Sequence, residues 1–554
     1  MILRRLYLYL VSAAALVLLA GGLAALGGTI LLFVFNDPSA DSSRGALAGF
    51  TATTVVALPV WGVHFWFARR FALRDPYERA SAIRRLYVYW ACLLMSLATM
   101  YALAFALSQL LQPYLDNQPT SWLGTSQLGW AAIVFAATFA FHFKIASDDR
   151  KAVGEEGASA TLRRWYMYIA LIVGLLTMLA GTSYLLQLGW TRLVTGSLPQ
   201  YTYLSSPAGA TLAGAMLWSF HARAIAMSHV TEDRHSTLRA LEGFVAVTIS
   251  ITTALVGASE ILYYLLARAL GVSNPGGAGD NVLEAAAGPG SLLIVYGVAW
   301  FLIQRRLTRD ARAQEAERQA GVRRLYVNLA ALVSLAAWAI GLGGLLWTLA
   351  EQVESPLIGV SGPDWKDPVS RYVTLLVVGA AVWIAHWRPA PWAADRQSLA
   401  RKLYVWAALL GSILAVLGGG VAMVNALLQQ LFSAHPKLSD PANLDFGRYL
   451  AVIVVAAGVG VYHWRVLRAD SAARPPRLGV TPVAVVATPM PVVAAPAGDT
   501  SATTTEPDVA GPHSRRYTLV VTDATEDDVH QALADLPPQA SYRLTPTEQT
   551  VDGR

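Results

Sequence analysis

The chain is poor in the residues from which most sites are built. It has a single cysteine, Cys92, in 554 residues, so no intramolecular disulfide can form and no cysteine-based zinc site is available. Only 14% of its residues are charged, where a soluble globular chain carries about a quarter. With 55% hydrophobic residues, the expected solvent for most of the chain is lipid. Neither H-E-x-x-H nor C-x-x-C-H occurs, and glycine clusters such as "GGLAALGG", "GLGG" and "LGGG" lie mid-span without the Lys-Ser or Lys-Thr of a phosphate loop. No Ser/His/Asp, Cys/His or paired-carboxylate arrangement is visible, so no enzyme, metal or cofactor is expected. The net charge of +6 comes from short basic segments beside apolar runs rather than from one polar face, which argues against a nucleic-acid partner.

What the chain does have is one phrase, repeated. It opens as "RRLYLYL" at Arg4 and Arg5, and returns as "RRLYVYW" at Arg84 and Arg85, "RRWYMYI" at Arg163 and Arg164, "RRLYVNL" at Arg323 and Arg324, and "RKLYVWA" at Arg401. A fourth, degenerate start lies at Arg239 in "LRALEGF". The first copy alone would pass for a cleaved secretory address, but its recurrence argues for a repeat. Starts at 4, 84, 163, 239, 323 and 401 are 80, 79, 76, 84 and 78 residues apart. The expected fold is all-α and polytopic: six parallel-repeated helical hairpins over 1–80, 81–160, 161–236, 237–320 (degenerate), 321–398 and 399–470. Twelve spans follow, because each apolar run approaches or exceeds the roughly 20 residues that cross a bilayer. First spans are placed at 6–34, 86–112, 165–189, 243–270, 325–350 and 403–432. Their partners fall at 46–68, 124–145, 207–227, 289–304, 371–387 and 447–466. The span at 289–304 is the shortest.

Basic residues give the orientation. The phrase starts, the linkers between copies and the stub at Arg465 and Arg468 hold 29 Lys and Arg, against seven in the six hairpin loops. Both termini are therefore expected in the cytoplasm. Residues 471–514 are rich in Pro, Ala, Thr and Val and read as a flexible linker. From Arg515, "RRYTLVVTD" alternates like a strand and "TEDDVHQALADLP" starts like a capped helix, which predicts a small βαβ-like tail over 515–554. So small a unit suits a cytoplasmic protein partner.

The second spans close on histidine: His64, His142, His221, His386 and His463. In an antiparallel hairpin these lie at the depth of the phrase tyrosines Tyr7, Tyr87, Tyr166, Tyr326 and Tyr404. An interfacial cluster of Arg, Tyr and His is expected at that end, its simplest role being to anchor the chain to membrane lipids. The fourth copy has Ala240 and Glu242 in place of Arg and Tyr, and Ala299 in place of His, so it loses both ends of the cluster together. Glu260 is the one acid placed well inside a span, and intramembrane acids are functional candidates.

With the paired spans, the "RRLYxY" opening and the His-Trp or His-Phe exit, the copies resemble a small bacterial membrane domain catalogued as domain of unknown function 5671, over about residues 1–468. That resemblance implies a multi-pass protein of a bacterial cell, expected in its inner membrane, and no mechanism. The expected function is a non-enzymatic membrane scaffold or sensor with a partner-binding tail. The alternatives are a secondary transporter or channel using Glu260, and a haem-binding electron carrier through the histidines.

Overall fold

A computed structural model of the chain describes residues 2–198, 202–227, 236–312, 317–357, 361–387, 396, 398–432 and 446–472. All belong to one compact unit, Met1–Leu478; the second unit, Gly479–Arg554, lies outside the described residues, and with it the expected βαβ tail. The described residues form helices and turns and no strand. In hydrocarbon every backbone N–H and C=O must be bonded within its own segment, which makes the helix the natural state of these apolar runs.

In chain order the helices are α1 (Ile2–Val34), α2 (Arg44–Arg74), the short α3 (Pro76–Arg79), α4 (Ala82–Leu115), α5 (Trp122–Val153), α6 (Gly157–Thr195) and α7 (Ser205–Met227). They continue with α8 (Thr237–Ala269), the short α9 (Val282–Ala285), α10 (Ala287–Arg312), α11 (Glu317–Leu357), α12 (Lys366–His386), α13 (Leu399–Phe432) and α14 (Phe446–Ala472). Most run past the expected spans, since charge ends an apolar run without ending a helix. Local signals set several of the boundaries. Asp75 caps α3 by accepting from the Tyr77 N–H, with Pro76 in the first turn. Ser121 and Ser236 cap α5 and α8 in the same way. Gly196, at φ +76°, ends α6 in the left-handed conformation that glycine adopts without penalty.

Among the described residues eleven helices are long and apolar enough to cross a membrane, so the chain is a membrane protein. The short span at 289–304 is one of them, as part of α10. The twelfth long helix, α7, has the length to cross but not the hydropathy. It packs between α4 and α6 on small residues. A Cβ on Gly209 would stand 2.3 Å from the Ala104 carbonyl oxygen of α4, and one on Gly214 would stand 2.6 Å from the Met178 nitrogen of α6. Such backbone contact replaces the hydrophobic drive that lipid removes. Gly209→Ala is therefore expected to separate α4 and α7 and cost about 1–3 kcal/mol, the usual penalty of overpacking, read as lower resistance to denaturant in detergent.

Helices pair in sequence: α1 with α2, α4 with α5, α6 with α7, α8 with α10, α11 with α12, and α13 with α14. Between pairs one contact recurs. The first helix of each pair packs on the second helix of the next, as α1 on α5, α4 on α7, α6 on α10, α8 on α12 and α11 on α14. This relation brings the starts of the first helices and the ends of the second helices to one basic end.

Candidate functional site

At the basic end each phrase tyrosine meets the histidine of its own pair. Tyr7 hydroxyl lies 3.0 Å from His64 Nε2, Tyr87 3.1 Å from His142, Tyr166 2.9 Å from His221 and Tyr404 2.9 Å from His463. Tyr326 and His386 meet ring edge to ring face, with centroids 5.9 Å apart. Every one of these histidines also places Nδ1 2.7–2.9 Å from the carbonyl four residues earlier on its own helix. A carbonyl only accepts, so Nδ1 carries a proton, and in the neutral imidazole Nε2 is then the bare lone pair. In the four bonded pairs the tyrosine hydroxyl must therefore donate to Nε2. With both nitrogens engaged, these four rings have no lone pair left for a haem iron unless the tyrosine bond breaks. His142, His221 and His463 are fully buried, whereas in the first pair Tyr7 is exposed and His64 half-buried.

Neighbouring pairs complete two of these bonds. Trp61, three residues before His64, donates its indole N–H to the Tyr87 hydroxyl at 3.1 Å, and Trp383, three before His386, donates to Tyr404 at 3.0 Å. Rings walk across the pairs as well: Tyr9 against Tyr87 at 5.6 Å, Tyr89 against Tyr166 at 5.9 Å and Phe244 against Tyr326 at 5.7 Å. In each case the second aromatic position of one phrase covers the tyrosine of the next.

The arginines find acids rather than water. Asp149 accepts from Arg84 at 2.7 Å and from Arg79 at 2.8 Å, while Arg84 also donates to the Tyr9 hydroxyl. Glu78 pairs with Arg4 and Arg5. Glu155 pairs with Arg163 at 2.7 Å and lies 3.9 Å from Arg85. Arg401 pairs with Asp470 at 2.7 Å and stands over the Trp387 ring. Arg164, Arg323 and Arg324 sit at the same end with partners of their own. Asp149 and Asp470 each lie seven residues, two helical turns, after their histidine. In the first pair that position is Phe71, whose ring carries Arg4 at 4.4 Å. In the fourth pair it is Arg306, and Arg306 pairs with Glu242, the residue that stands where the tyrosine would be. The degenerate copy thus has a part-buried ion pair where the others have a tyrosine–histidine contact.

Glu260 does not join this network. It is exposed on α8, nine residues before the helix end, and lines neither of the two large cavities. Among the described residues no three His, Cys, Asp or Glu gather as a metal site would require. Reasoning from sequence missed the acids Glu78, Asp149, Glu155 and Asp470 and the tryptophans Trp61 and Trp383. The seven-residue interval from His142 to Asp149, repeated from His463 to Asp470, was the signal that could have found two of them.

These observations define an all-helical, multi-pass membrane protein whose helix pairs are bonded together at one basic end. Two stretches of it, residues 5–130 and 324–459, match the model of a family described as a domain of unknown function (DUF5671), which supports that family for the chain. Each matched stretch takes in most of two successive helix pairs, so the match gives two regions where the resemblance implied six copies. No curated protein and no solved structure matches the chain.

Proposed function

We propose that the chain is a non-enzymatic membrane scaffold or sensor of the bacterial inner membrane. Its six helix pairs are copies of one hairpin, with the basic end and both termini in the cytoplasm, lipid around the bundle, and the tail over 515–554 recruiting a cytoplasmic protein. The observation that carries this reading is the commitment of the polar side chains. Transport and catalysis need polar groups aimed at a void, whereas here hydroxyl, imidazole, guanidinium and carboxylate are spent on one another. Proximity labelling in the native cell tests the tail. A set of cytoplasmic proteins labelled by the full chain and lost from a chain ending at Leu478 supports recruitment; identical sets refute it. For the bundle, proteoliposomes holding the full chain are expected to show no ion or proton flux above empty vesicles, and Glu260→Gln is expected to change nothing. A flux abolished by that substitution would replace the scaffold with a transporter.

A further inference from the structure

Two open, largely apolar slots occupy corresponding places in the helix pairs, each overlapping one of the two regions matched by the family. One, of about 940 Å³, lies among α1, α4 and α5; the other, of about 440 Å³, lies among α11, α13 and α14. Counted from the first arginine of the phrase, positions 17, 20 and 24 supply Gly21, Ala24 and Gly28 to the first cavity and Ile340, Gly343 and Trp347 to the second. Positions 10 and 14 of the next phrase supply Leu94 and Ala98, and Gly411 and Ala415. Fifteen and seven residues before the histidine stand Gln127 and Phe135, and Arg448 and Ala456.

Both slots are apolar along their length and polar at one end. That end lies 24 residues from the basic end, about 36 Å at 1.5 Å per residue, which is the far face of a hydrocarbon core about 30 Å thick. The same two positions close it in each case. Gln127 donates to the Gly28 carbonyl at 2.8 Å, and Arg448 stands over the Trp347 ring at 4.8 Å. The first closure is satisfied within the protein. The second leaves the buried Trp347 indole N–H without an acceptor. In the intervening helices the corresponding space is taken by Gln187, whose amide would lie 3.4 Å from a Cβ on Gly288.

We propose that the slot between α11, α13 and α14 binds one hydrocarbon chain of a phospholipid from the leaflet away from the basic end. The phosphate of that lipid meets Arg448, which lines the polar end of the slot. An apolar void within a bilayer gives up its dispersion contacts unless a chain fills it, and a phospholipid brings both that chain and an anionic group for Arg448. The inference rests on the membrane reading and is independent of the scaffold role and the tail.

Gly343 and Gly411 provide the test, because a Cβ at either meets no atom within 4 Å and a larger side chain there enters the slot. The full chain, stripped of lipid in detergent, would be titrated with phosphatidylglycerol and with phosphatidylcholine and its bound lipids counted by native mass spectrometry. The Gly411→Leu variant is expected to lose one retained lipid while its lipid-free thermal stability stays that of the parent. Arg448→Gln is expected to erase any preference for phosphatidylglycerol and leave the site occupied. Equal lipid counts for the parent and the Gly411→Leu variant would mean annular lipid only and overturn the proposal, and so would an Arg448→Gln variant that keeps the parent's preference for phosphatidylglycerol.

Discussion

Asp149→Ala is expected to cost about 3–5 kcal/mol of stability, the range for removing one partner of a buried ion pair. The carboxylate is 4% exposed and holds Arg84, which is 2% exposed, at 2.7 Å, together with Arg79 at 2.8 Å. Without it Arg84 retains only the Tyr9 hydroxyl and keeps a full positive charge out of water. The control is a pair of the same length in the opposite setting. Arg44 and Asp41 also lie 2.8 Å apart, but with 72% and 84% of their side chains exposed, and Asp41→Ala should change stability by no more than about 1 kcal/mol. Denaturant unfolding of the full chain in detergent measures both. A second comparison separates charge from packing: Arg84→Leu in the Asp149→Ala background should recover part of the loss, because it removes the stranded charge. Equal costs for Asp149→Ala and Asp41→Ala would show that burial does not govern this network.

The repeat made the tyrosine–histidine contacts readable before any coordinates, since two residues at fixed places in successive copies must be neighbours if the copies fold alike. Tyr404 and His463 follow from that logic alone. The acids did not follow from it, because arginines beside apolar runs already have a reason to exist in membrane topology, and that reason asks for no partner. Only the packing of α4 on α5 turns Asp149 toward Arg84 rather than toward water. Helix α7 is less legible for a related reason. Its length suits a crossing, but its modest hydropathy reflects a surface shaped to meet the backbones of α4 and α6, which depends on the neighbours and not on the segment. Glu260 shows the limit most plainly, as position along a helix fixes depth, while the direction faced is set by the helices packed around it. The ion pair of Glu242 with Arg306 has the same origin: seven residues past Ala299 is a legible interval, yet it acquires meaning only beside Asp149 and Asp470.

Tyrosine-to-phenylalanine substitutions at the phrase positions should fall in a set order. Tyr87 donates to His142 Nε2 and accepts from the Trp61 indole, so Tyr87→Phe orphans a fully buried acceptor and a half-buried donor at once. Each buried group left without a partner costs about 1–3 kcal/mol, less than the sum of the two once the site relaxes. Tyr404→Phe should match it, because Trp383 and His463 repeat the arrangement. Tyr166→Phe should cost less. His221 loses its donor there, but the residue three before His142, Phe139, has no N–H to strand. Tyr7→Phe should have the smallest effect, since Tyr7 is 58% exposed and His64 only half-buried, so water replaces the lost bond. The pairing itself is tested by adding Trp61→Phe to Tyr87→Phe. If the indole is stranded in the single variant, removing its N–H should then cost far less than it does beside an intact tyrosine. Equal losses at Tyr7 and Tyr87 would mean that the hydroxyls contribute nothing beyond their rings, and that packing alone holds the basic end together.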